Sequence, residues 1–493
     1  MEKRIISMML VVIMSLGLVA CGNKNKKEER STDPGIAITK QISGTYSFQM
    51  GSDQPVIEYP FYYCDDYFDT ASDVYDSRLA SLGMCINIAM APSYELEKKS
   101  DGLKNFLSQL GFPKERMVVE LLDSPTTKDG VGSLIASKVV GDETIMLVCL
   151  RGVGYGREFL GNFVVGKTGD SQGFAKPAKR VLERIKAYQK EYDIKSCKMF
   201  MTGYSRSGAI TDLAAAYIDE ALDEYHVEKK DFFAYTFEAP RASASAKGYT
   251  NIHNVVDKRD LVPYLVFEGW GFERNGVIHY VGDDEATCTS RYLSKSSMVE
   301  GPKVSIAEFY EEFEDLLTSC VSREEYAAEV QQALWEVLHL VFDQDAKQEE
   351  AIDGFVSELM DGMGYFTKAK FLLYAKDYVD LNKDFDYDKA TSFLTDYIRD
   401  VQKKTKCGIS DENVDIIIKN IKPLLRGFRE PVAKDYAYEK DGVPYPLMHF
   451  GTITQMTGVI YNHHALENFV RYVYEEDDNF EDEIGKYFNL KSE

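Results

Sequence analysis

The sequence predicts an α/β protein whose mostly parallel central sheet is flanked by helices. Continuous apolar runs, as expected of strands buried on both faces, occupy residues 144–150, 198–202, 232–237 and 251–256. Stretches with helical spacing alternate with these runs, at residues 176–192 and 209–222. Such alternation of strand and helix is typical of a parallel sheet covered by helices.

The chain changes character after residue 300. Between residues 301 and 429, Glu, Leu, Tyr and Lys dominate and apolar residues recur every three or four positions, which predicts a block of helices. A further helix is predicted over residues 465–474. We therefore expect the α/β domain to comprise residues 45–300 and 430–493, with residues 301–429 as an inserted helical cap.

The first residues have the pattern of an export signal. Residues 1–20 begin with basic side chains and continue as an apolar run that is too short for a comfortable membrane span. Leu18–Cys21 resembles the lipobox of bacterial lipoproteins, which implies cleavage before Cys21 and a lipid anchor on that residue. Several acyl chains would hold it durably to the outer side of the cell membrane. Residues 21–44 are polar and are predicted to form a flexible tether.

Charge and cysteine content narrow the functional classes. The net charge of −23 argues against a nucleic-acid partner and against electrostatic docking on anionic lipid. The cysteines after Cys21 are scattered and include no Cys-x-x-Cys pair, so they predict neither a zinc site nor a disulfide framework. Glycines 152, 154 and 156 lack the spacing of a dinucleotide-binding loop. We expect neither a metal nor a cofactor.

A candidate nucleophile follows the second apolar run. The segment Gly203–Gly208 (GYSRSG) stands between a predicted strand and a small-residue helix, which is the setting of a nucleophile elbow. The sharp turn requires small residues two before and two after the serine, and these are Gly203 and Ser207. Ser205 is therefore the predicted nucleophile.

A second serine fits the strict pentapeptide better but has a poorer context. Ser171 lies in Gly169–Gly173 (GDSQG), separated from the short apolar run Phe163–Val165. The next helix is predicted to begin near Pro177, well beyond the serine. We therefore prefer Ser205.

The order of motifs resembles the fungal-type, or class-three, lipase family. After Leu150–Val153 (LRGV) comes the serine turn, then Phe237–Arg241 (FEAPR), then Asp260–Pro263 (DLVP), and finally a histidine. The resemblance covers roughly residues 80–282 and the C-terminal stretch, but not the helical block. It implies an α/β-hydrolase fold and a serine carboxylic-ester hydrolase of lipase or esterase type.

The chain departs from the family pattern at three positions around this turn. Ser207 stands where the family usually has Gly, Tyr204 where it often has His, and Val153 where it has Thr. These departures affect substrate preference more than chemistry, because the oxyanion donors are backbone amides. The donors expected here are the amides of Val153 and Arg206.

A serine hydroxyl needs a base, and the base needs an acid that fixes its tautomer. In this fold class the chain order is Ser, acid, His. Asp260 follows a predicted strand end, where catalytic groups of open parallel sheets gather, and Asp257 is its nearest rival. The histidines that follow Asp260 are His279, His339, His449, His463 and His464. A His-x-x-x-Asn-aromatic segment in related bacterial sequences matches His464, which we prefer over His463.

These residues predict an exported, membrane-anchored enzyme that hydrolyses an ester or lipid through Ser205, His464 and Asp260. The alternative is a catalytically silent surface lipoprotein that binds a lipid or protein partner on the same fold. Labelling of Ser205 by an active-site probe discriminates between the two. Acyl transfer or peptide hydrolysis by the same residues is a third possibility that the sequence does not separate from esterase activity.

Overall fold

The structure is a computed structural model that describes most of the predicted α/β domain and parts of the rest. The described residues are 33–49, 56–91, 98–124, 127–152, 157–282, 287–289, 303–305, 310, 314, 318, 321–342, 351–352, 355, 387–404, 408–426, 439–440, 443–444 and 463–481. The predicted signal peptide (1–20), Cys21 and the first part of the tether lie outside this set.

The centre of the fold is a seven-stranded sheet with the strand order β3-β4-β5-β6-β7-β8-β9. Its strands, preceded by a hairpin of β1 (Ile42–Phe48) and β2 (Ile57–Tyr63), are β3 (Met117–Glu120), β4 (Ser133–Val140), β5 (Glu143–Leu150), β6 (Lys198–Tyr204), β7 (Phe232–Phe237), β8 (Ile252–Asp257) and β9 (Val277–Val281). Strands β5 to β9 are parallel, whereas β3 and β4 form an antiparallel edge. The predicted mostly parallel central sheet is thus confirmed.

Helices cover both faces of this sheet. The longer helices are α1 (Ser77–Ala89), α2 (Lys99–Gln109), α3 (Gln172–Glu191), α4 (Arg206–Asp219), α5 (Gln331–Phe342), α6 (Tyr387–Lys404), α7 (Asp411–Arg426) and α8 (Leu466–Glu475). Short helical turns occupy Asp65–Asp69, Lys114–Arg116, Arg157–Phe163, Leu222–Tyr225, Lys229–Asp231, Val262–Tyr264, Glu268–Trp270, Arg323–Glu325, Tyr326–Val330 and Asp478–Phe480. The sheet with its two helical layers fits an α/β-hydrolase-like fold.

Side chains of each strand alternate between two hydrophobic cores. In β5, Leu147 and Cys149 pack with α1, α2, α8 and the β1–β2 hairpin, whereas Met146 and Val148 pack with α3 and α4. All four side chains are fully buried, which explains why this strand is continuously apolar in sequence. Cys64, Cys85, Cys149 and Cys197 are buried and free of disulfide bonds.

The described helices of the predicted insertion have an apolar cluster of their own. Leu340 of α5, Ile398 of α6 and Val414 of α7 belong to it. The start of α5 also contacts the main domain, because the side-chain oxygen of Gln331 accepts hydrogen bonds from the amides of Val165 and Gly166. A small antiparallel pair joins Thr287–Thr289 to Lys303–Ser305, across the predicted boundary at residue 300.

The last part of the predicted tether is docked on the main domain. The Val139 amide donates to the Pro34 carbonyl (2.7 Å), and the Ile36 amide donates to Gly111 (2.8 Å). Strand β1 already begins at Ile42, so the folded body starts earlier than residue 45. The prediction missed this because these backbone hydrogen bonds join residues that are far apart in sequence, and no local pattern indicates them.

A buried ion pair fastens the same segment. Lys138 and Asp65 lie 2.6 Å apart, and Asp65 also accepts the Ile38 amide at 2.7 Å. Burial lowers the pKa of Lys138, and the Asp65 carboxylate opposes that change. Among the described helices, we find none with the length and apolarity that a membrane crossing needs.

Candidate active site

The proposed nucleophile occupies a strained turn between β6 and α4. Ser205 has φ 55° and ψ −126°, a conformation that residues other than glycine rarely adopt. Its amide donates to the Phe237 carbonyl at 2.8 Å, which ties the turn to the end of β7. Strain of this kind persists only where the surrounding structure enforces it, and it is typical of the nucleophile elbow.

Close packing around the turn explains the small residues beside the serine. A Cβ atom on Gly203 would lie 2.4 Å from the Ser207 carbonyl oxygen, and one on Gly208 would lie 2.9 Å from the Ala239 Cβ. The Ser207 hydroxyl accepts the Tyr204 amide at 2.9 Å and contacts the Leu150 carbonyl at 2.9 Å. Ser207 therefore adds a polar link between β5 and the turn at a position where Gly would add none.

A chain of hydrogen bonds joins the three residues that sequence analysis singled out. Ser205 Oγ lies 2.8 Å from His464 Nε2, and His464 Nδ1 lies 2.5 Å from Asp260 Oδ2. The other oxygen of Asp260 accepts the Val262 amide at 2.9 Å, and this carboxylate is fully buried. An acceptor at Nδ1 favours the tautomer with a proton there, which leaves Nε2 free to take the serine proton.

The two rival residues form a second, separate pair. His463 Nδ1 lies 3.1 Å from Asp257 Oδ2, and Arg259 holds both oxygens of Asp257 at 2.8 Å. Burial raises the pKa of Asp257, but the hydrogen bonds from His463 and Arg259 outweigh it, so the pKa lies below its ordinary value. Each candidate histidine is therefore matched with its own aspartate.

The remaining candidates have other surroundings. Ser171 precedes α3 with an ordinary φ of −55°, and its fully buried Oγ contacts the Val164 carbonyl. The helix starts directly after it at Gln172, so the expected start near Pro177 was wrong. His279 lies in β9 and bonds to His253 at 3.0 Å. His449 lies outside the described residues.

Tyr204 holds the loop that carries His464, a contact that the sequence did not reveal. Its hydroxyl donates to the His464 carbonyl at 2.7 Å, and the two ring centroids are 5.3 Å apart. The Tyr204 ring also packs on Phe469 of α8. The signal was the aromatic residue next to Ser205, which sequence analysis noted only as a departure from the family pattern.

The predicted oxyanion donors are described in part. Arg206 is the first residue of α4, and its amide belongs to the helix N-terminus, where developing negative charge is stabilised. Val153 lies outside the described residues. The preceding residue runs very close to the turn, because a Cβ on Gly152 would lie 2.1 Å from the Tyr204 carbonyl oxygen.

Buried guanidinium groups support this side of the site. The Arg206 side chain contacts Asn162 Oδ1 and the Lys128 carbonyl, both at 3.1 Å. Arg151 and Glu158 form a buried ion pair at 3.0 Å. The ion pair joins the two described ends of the loop that contains Val153, and the bond to Asn162 ties the following segment to α4.

An additional carboxyl group, that of Glu238, lies beside Asp260 and His464. One oxygen from each carboxyl group and one ring nitrogen of His464 lie within 4.8 Å of one another, the one group of potential metal ligands found among the described residues. The short bond between His464 and Asp260 already uses two of these groups. The arrangement therefore matches a hydrogen-bonded site, and the expected absence of a metal stays a prediction.

Comparisons with known proteins give structural neighbours only. No family model matches the sequence, and no curated protein matches it. Solved structures similar to this chain include fungal lipases. A fungal lipase–inhibitor complex has 17% identity, covers 42% of this chain and 78% of its own, and gives a TM-score of 0.30. A lipase from Rhizopus microsporus var. chinensis has 15% identity and a TM-score of 0.31, and the match covers 55% of this chain and 86% of that one.

The Rhizomucor miehei lipase in its propeptide complex gives similar values. Its identity is 18%, its TM-score 0.28, and the match covers 42% of this chain and 67% of that one. Likeness at this level carries no argument about chemistry. The assignment of the fold and of the candidate site rests on the sheet, the strained turn at Ser205 and the hydrogen bonds described above.

Proposed function

We propose that the protein is a serine hydrolase of carboxylic esters, of lipase or esterase type. The observation that carries this proposal is the hydrogen-bonded series Ser205–His464–Asp260 at a positive-φ turn on the carboxyl edge of a parallel sheet. Ligands of open α/β sheets bind at that edge. The same three residues in this chain order are typical of α/β-hydrolase catalysis.

The reaction follows from the protonation states of these groups. Ser205 Oγ attacks the ester carbonyl carbon while His464 Nε2 takes its proton, and the amides of Arg206 and Val153 stabilise the oxyanion. His464 then gives the proton to the departing alkoxide, which leaves an acyl-Ser205. Water attacks this acyl group with His464 as base. The bond to Ser205 Oγ then breaks, His464 returns the proton to that oxygen, and the carboxylic acid is released. Asp260 holds the imidazole and stabilises its charged form throughout.

The experiment that tests this function uses the unmodified chain. We expect a fluorophosphonate probe to label the protein on Ser205, as mapped by peptide mass spectrometry, and we expect hydrolysis of short p-nitrophenyl esters. Heat-unfolded protein is the control, because labelling of unfolded protein would show that the probe does not require a preformed site. If the folded protein gives neither labelling nor hydrolysis, the silent binding lipoprotein becomes the better assignment.

A cap over the site is part of the same proposal. Gln331 bonds to Val165 and Gly166, and Tyr326 donates to the Phe163 carbonyl at 3.1 Å, so the helical insertion contacts the loop next to the site. Cap helices in this position would select among acyl chains. A p-nitrophenyl ester series of increasing acyl length tests this, since equal kcat/KM values along the series would argue against a selecting cap.

Anchoring through Cys21 is a separate proposal that is supported by the lipobox-like residues Leu18–Cys21. Cys21→Ala is expected to move the protein from the membrane fraction to the soluble fraction of the cells that export it. Ester hydrolysis per molecule should persist, because the substitution lies far in sequence from the site. Retention of the Cys21→Ala protein in the membrane fraction would contradict lipid anchoring at this residue.

A further inference from the structure

Glu238 is the least explained charged side chain near the site. It is fully buried directly after β7, and its φ of 47° is unusual for a residue other than glycine. Backbone strain of this kind persists only where the surrounding structure enforces it. The mechanism described above assigns it no role.

The two oxygens of Glu238 have different surroundings. Oε1 accepts the Asp257 amide at 2.7 Å, whereas Oε2 is buried and accepts no hydrogen bond from the described residues. One carboxylate oxygen of Glu238 lies within 4.8 Å of an Asp260 oxygen and of a His464 ring nitrogen. The side chain therefore lies beside the carboxylate that faces the base.

Two negative charges at this distance in a buried site repel each other, and burial disfavours each of them. Burial and the neighbouring Asp260 raise the pKa of Glu238 well above its ordinary value. Asp257 adds to this effect, although Arg259 and His463 bind its carboxylate.

Arg274 supplies a positive charge that interacts with Glu238. It is partly buried, and desolvation lowers its pKa to about 10. Its guanidinium donates to the carbonyls of Ala239 and Pro263, and neither of these bonds reaches Glu238.

We propose that Glu238 is a positioning residue of this site, protonated at Oε2 in the folded protein and sharing that proton with the Asp260 carboxylate. This donor fixes the orientation of the Asp260 carboxylate. It also reduces the negative charge that the imidazole faces. The positioning role rests on the proposed hydrolase function, whereas the proton on Glu238 does not.

The proton is tested by urea unfolding of wild type and Glu238→Gln between pH 5 and 8. A carboxyl group that is protonated when folded and ionised when unfolded makes wild-type stability fall as pH rises above the ordinary Glu pKa. Glutamine has no such proton to lose. The ratio of the variant's folding constant to that of wild type should therefore rise about tenfold per pH unit.

Two further variants complete the unfolding series. Glu183→Gln, at an exposed position of α3, should give a ratio that does not change with pH. Glu238→Met keeps an unbranched side chain of similar length without an ionisable group, so it must show the same slope as Glu238→Gln. A flat ratio for both Glu238 variants would mean that Glu238 is ionised in the folded protein, and the proposal would be wrong.

The positioning role is tested by the pH dependence of fluorophosphonate labelling. Glu238→Met removes the donor to Asp260, so the acid limb of the profile should move upward by about one pH unit. Glu238→Gln can still donate from its amide and should return the limb toward the wild-type position. Identical acid limbs in Met and Gln variants would overturn this role. If wild type is not labelled at all, the proposed function fails while the unfolding series still decides the proton.

Discussion

Replacing Ser205 by alanine is expected to lower kcat/KM for a short p-nitrophenyl ester by about 10⁶-fold and to abolish fluorophosphonate labelling. Without Oγ no acyl-enzyme forms, and the oxyanion donors alone leave only a small residual rate. Stability should change little, because alanine and serine are similarly strained at φ 55°. Steady-state kinetics measure the loss of kcat/KM, and intact-protein mass spectrometry measures the loss of labelling.

The matched control is Ser171→Ala. Ser171 belongs to the rival pentapeptide but stands before α3 with an ordinary backbone conformation and far from any described histidine contact. Its kcat/KM should stay near the wild-type value. Loss of labelling in Ser171→Ala with retention in Ser205→Ala would reverse the assignment of the nucleophile.

Replacing His464 by alanine is expected to lower kcat/KM by about 10⁴- to 10⁶-fold, because no other base then bonds to Ser205 Oγ. Binding of substrate should suffer much less, so the loss should appear in kcat rather than in KM. Pre-steady-state measurement of acylation isolates the step in which the imidazole takes the serine proton.

The second pair supplies the control for this loss. His463→Ala and Asp257→Asn alter a neighbouring His–Asp pair of the same composition, and Asp257 is already held by Arg259. We expect these variants to lose far less activity than His464→Ala and Asp260→Asn. Equal losses in both pairs would show that the pairs act as one unit, which would contradict the assignment of His464 as the base.

The parallel strands could be predicted because burial on both faces makes their sequences continuously apolar. The antiparallel strand β4 escaped notice since Ser137 and Lys138 interrupt its apolar run, although both are fully buried. Lys138 is compatible with the interior only through Asp65, which lies far away in sequence. No local pattern indicates such a partner.

Helix starts were less predictable than strands. Helix α4 begins at Arg206, three residues before the predicted start, because the turn at Ser205 leads into it directly. Helix α3 begins at Gln172 and contains Pro177, which the sequence suggested as its beginning. Each first turn contains a glycine, Gly173 or Gly208, which weakens the helical pattern in the sequence.

The candidate site was predictable in its residues but not in its pairing. Chain order and strand ends pointed to Ser205, Asp260 and His464, and left Asp257 and His463 open. Two aspartates three residues apart and two adjacent histidines allow several pairings in sequence. Only the directions of the side chains decide which pair meets the serine, and these depend on Tyr204 and Arg259.

The docking of Pro34 beside Val139 gives the molecule a polarity. Val139 lies near the amino end of β5, whereas Ser205 and Asp260 follow the carboxyl ends of β6 and β8, about 25 Å away along the strands. Residues 22–32 span at most about 40 Å when fully extended. That length exceeds the distance from Val139 to the site. An anchor at Cys21 would therefore leave the domain free to turn, so the site would reach both esters of the surroundings and lipids of the anchoring membrane.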